Sequence, residues 1–392
     1  MRAKTVNKTK LANKTVLLRV DFNVPRQGLQ IKDDFKITSS LDFIKFLIEK
    51  QVKLVLITHL GKPKPGKSLS ATDKRKFSTA IVAKRLAKLL GKKVLFFNEP
   101  IGEAKLKTKI AGLKKGQVVM LENIRFYKGE TTNDIKLAKD LASLADIYIN
   151  NAFAVSHRAH ASVSAIKKYL PSFAGPLLVD EVIHLNKILK PLRPMIAVMG
   201  GAKIETKIGL IKNILKRANH VLIGGALANN FLLARGFKVG RSLVSKEGVA
   251  LAKKLPKKKL VLPIDFVVKT KDNKTAWRHP KEIKASEMIV DIGPETMKLF
   301  GNYIKRAKTL IWNGPMGLYE DEAARYGTLF VARAVASRSS GKAFGVVGGG
   351  ETIDVLKMTK MEEDIDWVST GGGASLAYLS GEKLPGLIGL IK

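Results

Sequence analysis

The sequence predicts an α/β protein of two doubly wound, parallel-sheet domains joined by a hinge helix. Three observations carry this. Short β-branched runs alternate with longer amphipathic ones almost from end to end. The short runs are apolar throughout, as strands are when helices cover both faces of their sheet. There are eleven of them, more than one doubly wound sheet comfortably holds.

In chain order the strand candidates are TVLLRVDF, KLVLIT, KVLFF, VVML and DIYIN, then MIAVM, HVLI, LVLP, TLIW, AFGVV and DWVS. Helical periodicity fills the gaps at LDFIKFLIEK, STAIVAKRLAKLL, IKLAKDLASL, KIGLIKNILKRA and AARYGTLFVARAVAS. The stretch AGPLLVDEVIHLNKILKPLRP, bracketed by Pro176 and Pro194, reads as a helix joining two Rossmann-like domains. The expected division is a first domain over 1–173, a linking helix over 174–192 and a second domain over 193–379. The tail, 380–392, is expected to pack back on the first domain.

Strand ends differ between the halves, and ligands of open parallel sheets bind at strand ends. In the second half the strands run into glycine: MIAVMGGAK, HVLIGGALAN, TLIWNGPMG, AFGVVGGGET and DWVSTGGGAS. One such turn is ordinary corner geometry. Five on one edge suit a phosphate-bearing nucleotide, because glycine admits the ligand to the backbone and helix N-termini face the anion. In the first half the strand ends carry Asp21, Asn23, His59, Lys62, Arg125 and Arg158, a set that would hold a small, highly anionic metabolite. His157 and His160 flank Arg158, and without a third ligand they read as capping or filling side chains rather than zinc ligands.

GKPKPGKS, residues 61–68, matches the phosphate-loop pattern G-x-x-x-x-G-K-[ST] but reads as a decoy. Pro63 and Pro65 have no N–H for a phosphate. The SLSATDKRKF that follows lacks an apolar helical period, so the next helix is expected only near Phe77.

The net charge of +37 admits nucleic acid or an anionic surface as a partner. Only 16 of the 70 basic residues are arginine, however, and the lysines are spread along the whole chain. The aromatic residues, 7% of the chain, are not interleaved with them, so no specific nucleic-acid partner is expected. No apolar run approaches the ~18 residues of a membrane helix. The basic start MRAKTVNKTK lacks a following apolar region, so no signal peptide is expected. With no cysteine there is neither a disulfide frame nor a thiolate metal site. A cytoplasmic monomer is the expectation.

RVDFNVP, THLGKPK, LENIRF, NNAFAVSHRAHAS, VMGGAKIETKI, LIGGALANNFL, DIGP, IWNGPMG, VGGGET and STGGGAS, ending in LPG, resemble phosphoglycerate kinase in number, order and spacing. The resemblance covers essentially the whole chain. It implies reversible phosphoryl transfer between 1,3-bisphosphoglycerate and Mg-ADP, giving 3-phosphoglycerate and ATP. It also implies a glycerate-binding first domain, a nucleotide-binding second domain, and substrates that meet on domain closure. Carried over by motif, Asp21, Asn23, Lys36, His59, Lys62, Arg125 and Arg158 are implied to bind the glycerate. Gly201, Lys203, Lys207, Gly225, Asn313, Pro315, Glu320, Gly348, Gly349, Gly350, Glu351 and Thr352 are implied to bind the nucleotide, with Glu351 on Mg²⁺. Lys36, Lys203 and Lys207 are the implied catalytic cations. Four positions depart from the family pattern: Lys36 and Lys62 replace arginines, and Glu351 and Asn151 replace aspartates. Lysine lacks the planar fork that sets orientation as well as charge. The departures point to a slow kinase, with a catalytically weak metabolite- and nucleotide-binding homologue as the alternative.

Overall fold

The structure, a computed structural model, describes residues 2–6, 11–64, 69–202 and 204–392. Lys203, Lys67 and Ser68, on which sequence expectations fall, lie outside the described residues. The chain forms two compact units, Met1–Val182 with Lys383–Lys392, and Ile183–Glu382.

The first unit is built on β1 (Thr15–Arg19), β4 (Lys53–Ile57), β5 (Val94–Phe97), β6 (Val118–Leu121), β7 (Ile147–Asn150) and β8 (Ser172–Ala174), with a two-residue hairpin of β2 (Arg26–Gln27) and β3 (Gln30–Ile31) aside. The order is β5-β6-β4-β1-β7-β8, every pair parallel. Alternation along these strands sends apolar side chains to both faces. Val16, Leu18, Leu54, Leu56 and Met120 pack with Ile44, Leu47, Val82 and Leu86 of the helices Leu41–Glu49 and Ala80–Leu90. Leu17, Val55, Val119, Leu121 and Tyr148 pack on the other face with Leu106, Ile110, Leu137 and Leu141. The run that looked uniformly apolar is thus two half-cores threaded on one strand.

Residues 383–392 complete this unit. Arg2 N donates to the Lys392 carbonyl and Lys4 N to that of Leu390, both at 2.8 Å. Gly386 N donates to the Ser156 carbonyl at 2.8 Å, packed so closely that a Cβ there would come 2.6 Å from Ser156. Lys167 Nζ donates to the Pro385 and Ile388 carbonyls at 2.6 and 2.8 Å, and burial lowers its pKa to about 8.

The second unit holds β9 (Met195–Met199), β10 (His220–Ile223), β11 (Leu260–Val261), β15 (Thr309–Asn313), β16 (Phe344–Gly348) and β17 (Trp367–Ser369) in the parallel order β11-β10-β9-β15-β16-β17. A separate antiparallel sheet, β13-β12-β14, is formed by β12 (Phe266–Lys269), β13 (Thr275–Arg278) and β14 (Met288–Ile292). Sequence reading had not anticipated this sheet. The helix Pro176–Leu189 begins in the first unit, where Asn151 Oδ1 accepts from Leu177 N at 3.0 Å. Asn151 is buried and its Nδ2 has no hydrogen-bond partner.

The expectation that the next helix after GKPKPGKS begins only near Phe77 is corrected. Ala71–Phe77 is helical, opened by Ser70, whose hydroxyl accepts from Asp73 N at 2.9 Å. It buries none of its residues, so it carries no apolar period to read. No helix among the described residues is long and apolar enough to cross a membrane.

Candidate active site

The first unit's site grows from the carboxyl ends of β1, β4, β6 and β7. Asp21 follows β1 and His59 follows β4, while Lys36 sits in the helical turn Phe35–Thr38. Lys36 Nζ donates to Asp21 Oδ2 at 2.7 Å, and His59 Nδ1 lies 3.7 Å from Asp21 Oδ1. Burial alone would push the Asp21 carboxyl up, but Lys36, His59 and Arg19 outweigh it and hold the pKa below the usual value. Burial drives the His59 pKa well below its ordinary value against the pull of Asp21, and Arg19, Arg125 and Lys36 push the same way. The imidazole is therefore neutral at physiological pH.

Asn23 and Arg125 fix the loop after β4. Asn23 Oδ1 accepts from Gly61 N at 2.8 Å, and Arg125 Nη1 donates to the Gly61 carbonyl at 2.6 Å. Burial, then the neighbouring Arg158 and Arg19, lower the Arg125 pKa to about 10, so Arg125 and Arg158 are electrostatic neighbours. A guanidinium that another guanidinium holds below its ordinary pKa is short of negative charge nearby, a setting that favours an anion. Lys62, next to Gly61, is exposed. Among the described residues no His, Cys, Asp and Glu gather in a group able to hold a metal. His160 instead lies 3.5 Å from Glu130.

Sequence reasoning missed what stands behind these groups. Arg19, 1% exposed, donates to Ser162 Oγ at 3.1 Å and contacts His59 Nδ1 at 3.4 Å. Glu130, fully buried, accepts from Ser162 N and Oγ at 2.9 and 2.7 Å. A continuous polar chain, His160–Glu130–Ser162–Arg19–His59–Asp21–Lys36, thus underlies the strand ends. Arg19 lies inside an apolar run and Glu130 outside every strand end, so neither carried a readable signal.

In the second unit, the turns after β9, β10 and β15 meet backbone to backbone. Gly201 and Gly314 have φ of +86° and +97°, and a Cβ on either would come 2.9 or 2.5 Å from Lys207 Nζ. The bare turns thus make room for this ammonium, which donates to the Gly200 carbonyl at 2.6 Å and contacts the Asn313 carbonyl at 3.3 Å. Burial lowers its pKa to about 8, opposed by Glu351. Asn313 Nδ2 donates to the Gly348 carbonyl at 2.7 Å. Gly314 N donates at 2.7 Å to the hydroxyl of Thr352, which is fully buried. Gly349 caps the helix Gly350–Thr359, so its free N–H groups and Glu351 share one end.

Beside this lies a slot of about 170 Å³, walled by Gly225, Ala226, Leu243, Met288, Pro315 and Leu318 and reaching Glu320 and Glu351. Leu243, Met288 and Leu318 lie outside the motifs that sequence reading used. The donor chemistry suits Mg²⁺, which takes one or two carboxylates together with substrate phosphates. Glu351 offers a carboxylate where the helix end and Lys207 would receive those phosphates.

A sheet edge charged for a small anion and another stripped of side chains for a polyphosphate belong together in an enzyme that passes phosphate between the two. The class is a two-unit α/β phosphotransferase. The phosphoglycerate kinase family profile matches residues 6–382. A phosphoglycerate kinase of Thermosipho africanus is 43% identical, the match covering 99% of this chain and 97% of the relative. One of Dictyoglomus turgidum is 42% identical, covering 96% and 95%. The solved phosphoglycerate kinase of Coxiella burnetii superposes with a TM-score of 0.85 at 36% identity, over 96% of each chain. That of Pyrococcus horikoshii gives 0.82 at 31%, over 97% of this chain and 96% of the other. This chain belongs to the phosphoglycerate kinase family.

Proposed function

We propose that the first unit's strand ends hold 3-phosphoglycerate or 1,3-bisphosphoglycerate and that the second unit's glycine turns hold ADP or ATP. Arg125 and Arg158 take the 3-phosphate as forked donors. Asp21, Asn23 and neutral His59 orient the glycerate. Lys36 and Lys207 neutralise the phosphoryl group in flight, and Lys203 joins them in this assignment by motif alone. Asn313, Pro315 and Glu320 face the base and ribose, while Gly348–Thr352 receive the phosphates.

In the ATP-forming direction, the bond between phosphorus and the C1 carboxylate oxygen breaks as a terminal oxygen of ADP bonds phosphorus. The carboxylate leaves as an anion and no proton need move, so the protein's task is positioning and charge stabilisation. Mg²⁺, when bound with the nucleotide at Glu351, would supply further neutralisation of the phosphate oxygens. The family's glycolytic role supports a cytoplasmic setting, and we propose a monomer.

The observation that supports this reading is Lys207, a half-buried ammonium seated among glycine turns whose Cβ atoms would crowd it, with Glu351 of the helix Gly350–Thr359 as its electrostatic partner. A coupled assay of 3-phosphoglycerate-dependent ADP formation tests it. Turnover should be present in wild type and nearly lost in Lys207→Ala. Absence of turnover by folded wild-type protein would overturn it in favour of a binding homologue.

A further inference from the structure

The backbone of the loop after β7 is pinned on both sides of Arg158. Asn150 Oδ1 accepts from Ala152 N at 3.0 Å, Ser156 N donates to the Phe153 carbonyl at 2.8 Å, and Arg158 N donates to that of Val155 at 3.1 Å. His160 N donates in turn to the Arg158 carbonyl at 3.0 Å. None of this holds the half-buried guanidinium, because a fixed backbone leaves the rotatable bonds of an arginine free, and that freedom is lost when an anion binds. Among the described residues the guanidinium makes one hydrogen bond, from Arg158 Nε to His157 Nε2 at 3.2 Å.

An imidazole nitrogen accepts only when it carries no proton, so the His157 ring is neutral and its single proton sits on Nδ1. That nitrogen is shielded from solvent and closes no hydrogen bond, although the Ala154 carbonyl lies near enough to favour a proton there. Burial, then Arg158 and His160, lower the pKa of the ring, which keeps it neutral at physiological pH. A guanidinium can grip an oxyanion side-on, through Nε and one Nη, or end-on, through both Nη atoms. With Nε given to His157, only the second grip remains. We propose that His157 is a positioning residue for the 3-phosphate: by occupying Arg158 Nε it turns the guanidinium so that Nη1 and Nη2 form an end-on fork for the anion. This rests on reading Arg158 as a ligand of the 3-phosphate.

Nitrogen-15 NMR of the imidazoles in the full-length protein, with the His157 signals assigned by their loss in His157→Gln, reads the tautomer directly. Near neutral pH the proton should be on Nδ1, and a proton on Nε2 would overturn the inference without recourse to activity. Steady-state kinetics supply the second arm. His157→Leu removes the acceptor and should raise KM for 3-phosphoglycerate about 3- to 10-fold, the cost of ordering one long side chain on binding, with kcat and KM for ATP little changed. His157→Gln brings an amide oxygen near the place of Nε2 and should keep KM within about twofold of wild type. A KM unmoved by His157→Leu would overturn the inference. So would a KM raised equally by both variants, the mark of a packing role. Arg158→Ala keeps the two readings apart. An unchanged KM for 3-phosphoglycerate in that variant removes Arg158 from the phosphate site, whereas a raised KM there with none in His157→Leu sinks this inference alone.

Discussion

Raising the pH through 8 should disarm nucleotide binding, and Lys207 sets where. Its pKa is lowered to about 8, chiefly by burial and against the pull of Glu351. The ammonium is then about 90% of the population at pH 7 and about 10% at pH 9, one unit on either side of the pKa. A polyphosphate needs the charged form, so kcat/KM for nucleotide should fall about tenfold per unit above pH 8, since that parameter reports the free enzyme. Saturating kcat should hold to higher pH, because bound phosphate raises the same pKa. Stability should move the opposite way. The folded pKa lies below that of the unfolded chain, which therefore binds more protons between about pH 8 and 10.5, and stability rises with pH across that window. The shift from 10.5 to about 8 corresponds to at most about 3 kcal/mol. Lys167, in the other unit, adds to the same stability slope. The assay is kcat/KM for ATP from pH 6.5 to 9.5 at fixed ionic strength, in wild type and Lys207→Arg. Arginine remains charged throughout, so its profile should be flat, though low, because the larger head does not fit among Gly200, Gly201 and Gly314. A wild-type profile flat to pH 9.5, or a break near 8 that persists in Lys207→Arg, would refute the reasoning.

Lys36→Arg should raise kcat by up to about 10²-fold by restoring two fixed donors, with less effect on KM, whereas Lys36→Ala should nearly abolish turnover. Lys36 already spends one donor on Asp21. A fall in kcat with arginine would mean that the pocket has adapted to lysine. Glu351→Asp should tighten the metal requirement, lowering the Mg²⁺ concentration for half-maximal rate about two- to fivefold, a size typical of one adjusted carboxylate contact. An unchanged titration curve would remove Glu351 from the metal's shell. Asn151→Asp should replace an unpartnered buried donor with a charged cap on the helix Pro176–Leu189 and stabilise the protein by about 1 kcal/mol. Thermal unfolding checks this, and a lower Tm contradicts it.

Eleven of the twelve strands of the two parallel sheets were legible because they read apolar almost without interruption, as TVLLR and MIAVM do, whereas the three-residue edge strand SFA was not. The antiparallel sheet was not, because FVVK and TAWR are short, partly exposed and mixed with basic residues. Asp21, His59 and Arg125 could be singled out because strand ends are where a parallel sheet presents its ligands. Arg19, Glu130 and Ser162 could not, since a buried charge shows itself only through partners that the fold brings together across long stretches of chain. The apolar wall of the slot was hidden for a related reason. Leu243 and Met288 come from segments whose own local patterns announce only ordinary burial.

The pairing of residues 383–392 with the first unit has a consequence for the order in which a ribosome delivers the parts. Everything else in that unit lies before Ile183, and the whole of Ile183–Glu382 is made in between. Translation at ~5–20 residues per second leaves roughly 10–40 s in which the leading part of the chain is out but unfinished. Through that interval Arg2 and Lys4 have no edge to join, Ser156 offers its carbonyl to water, and Lys167 carries a charge poised for burial without the carbonyls that will receive it. The trailing unit is continuous and can close as soon as it emerges. The half of the protein synthesised first is thus the half completed last, and through the synthesis of the second unit the nascent chain exposes a first unit still short of its ten closing residues.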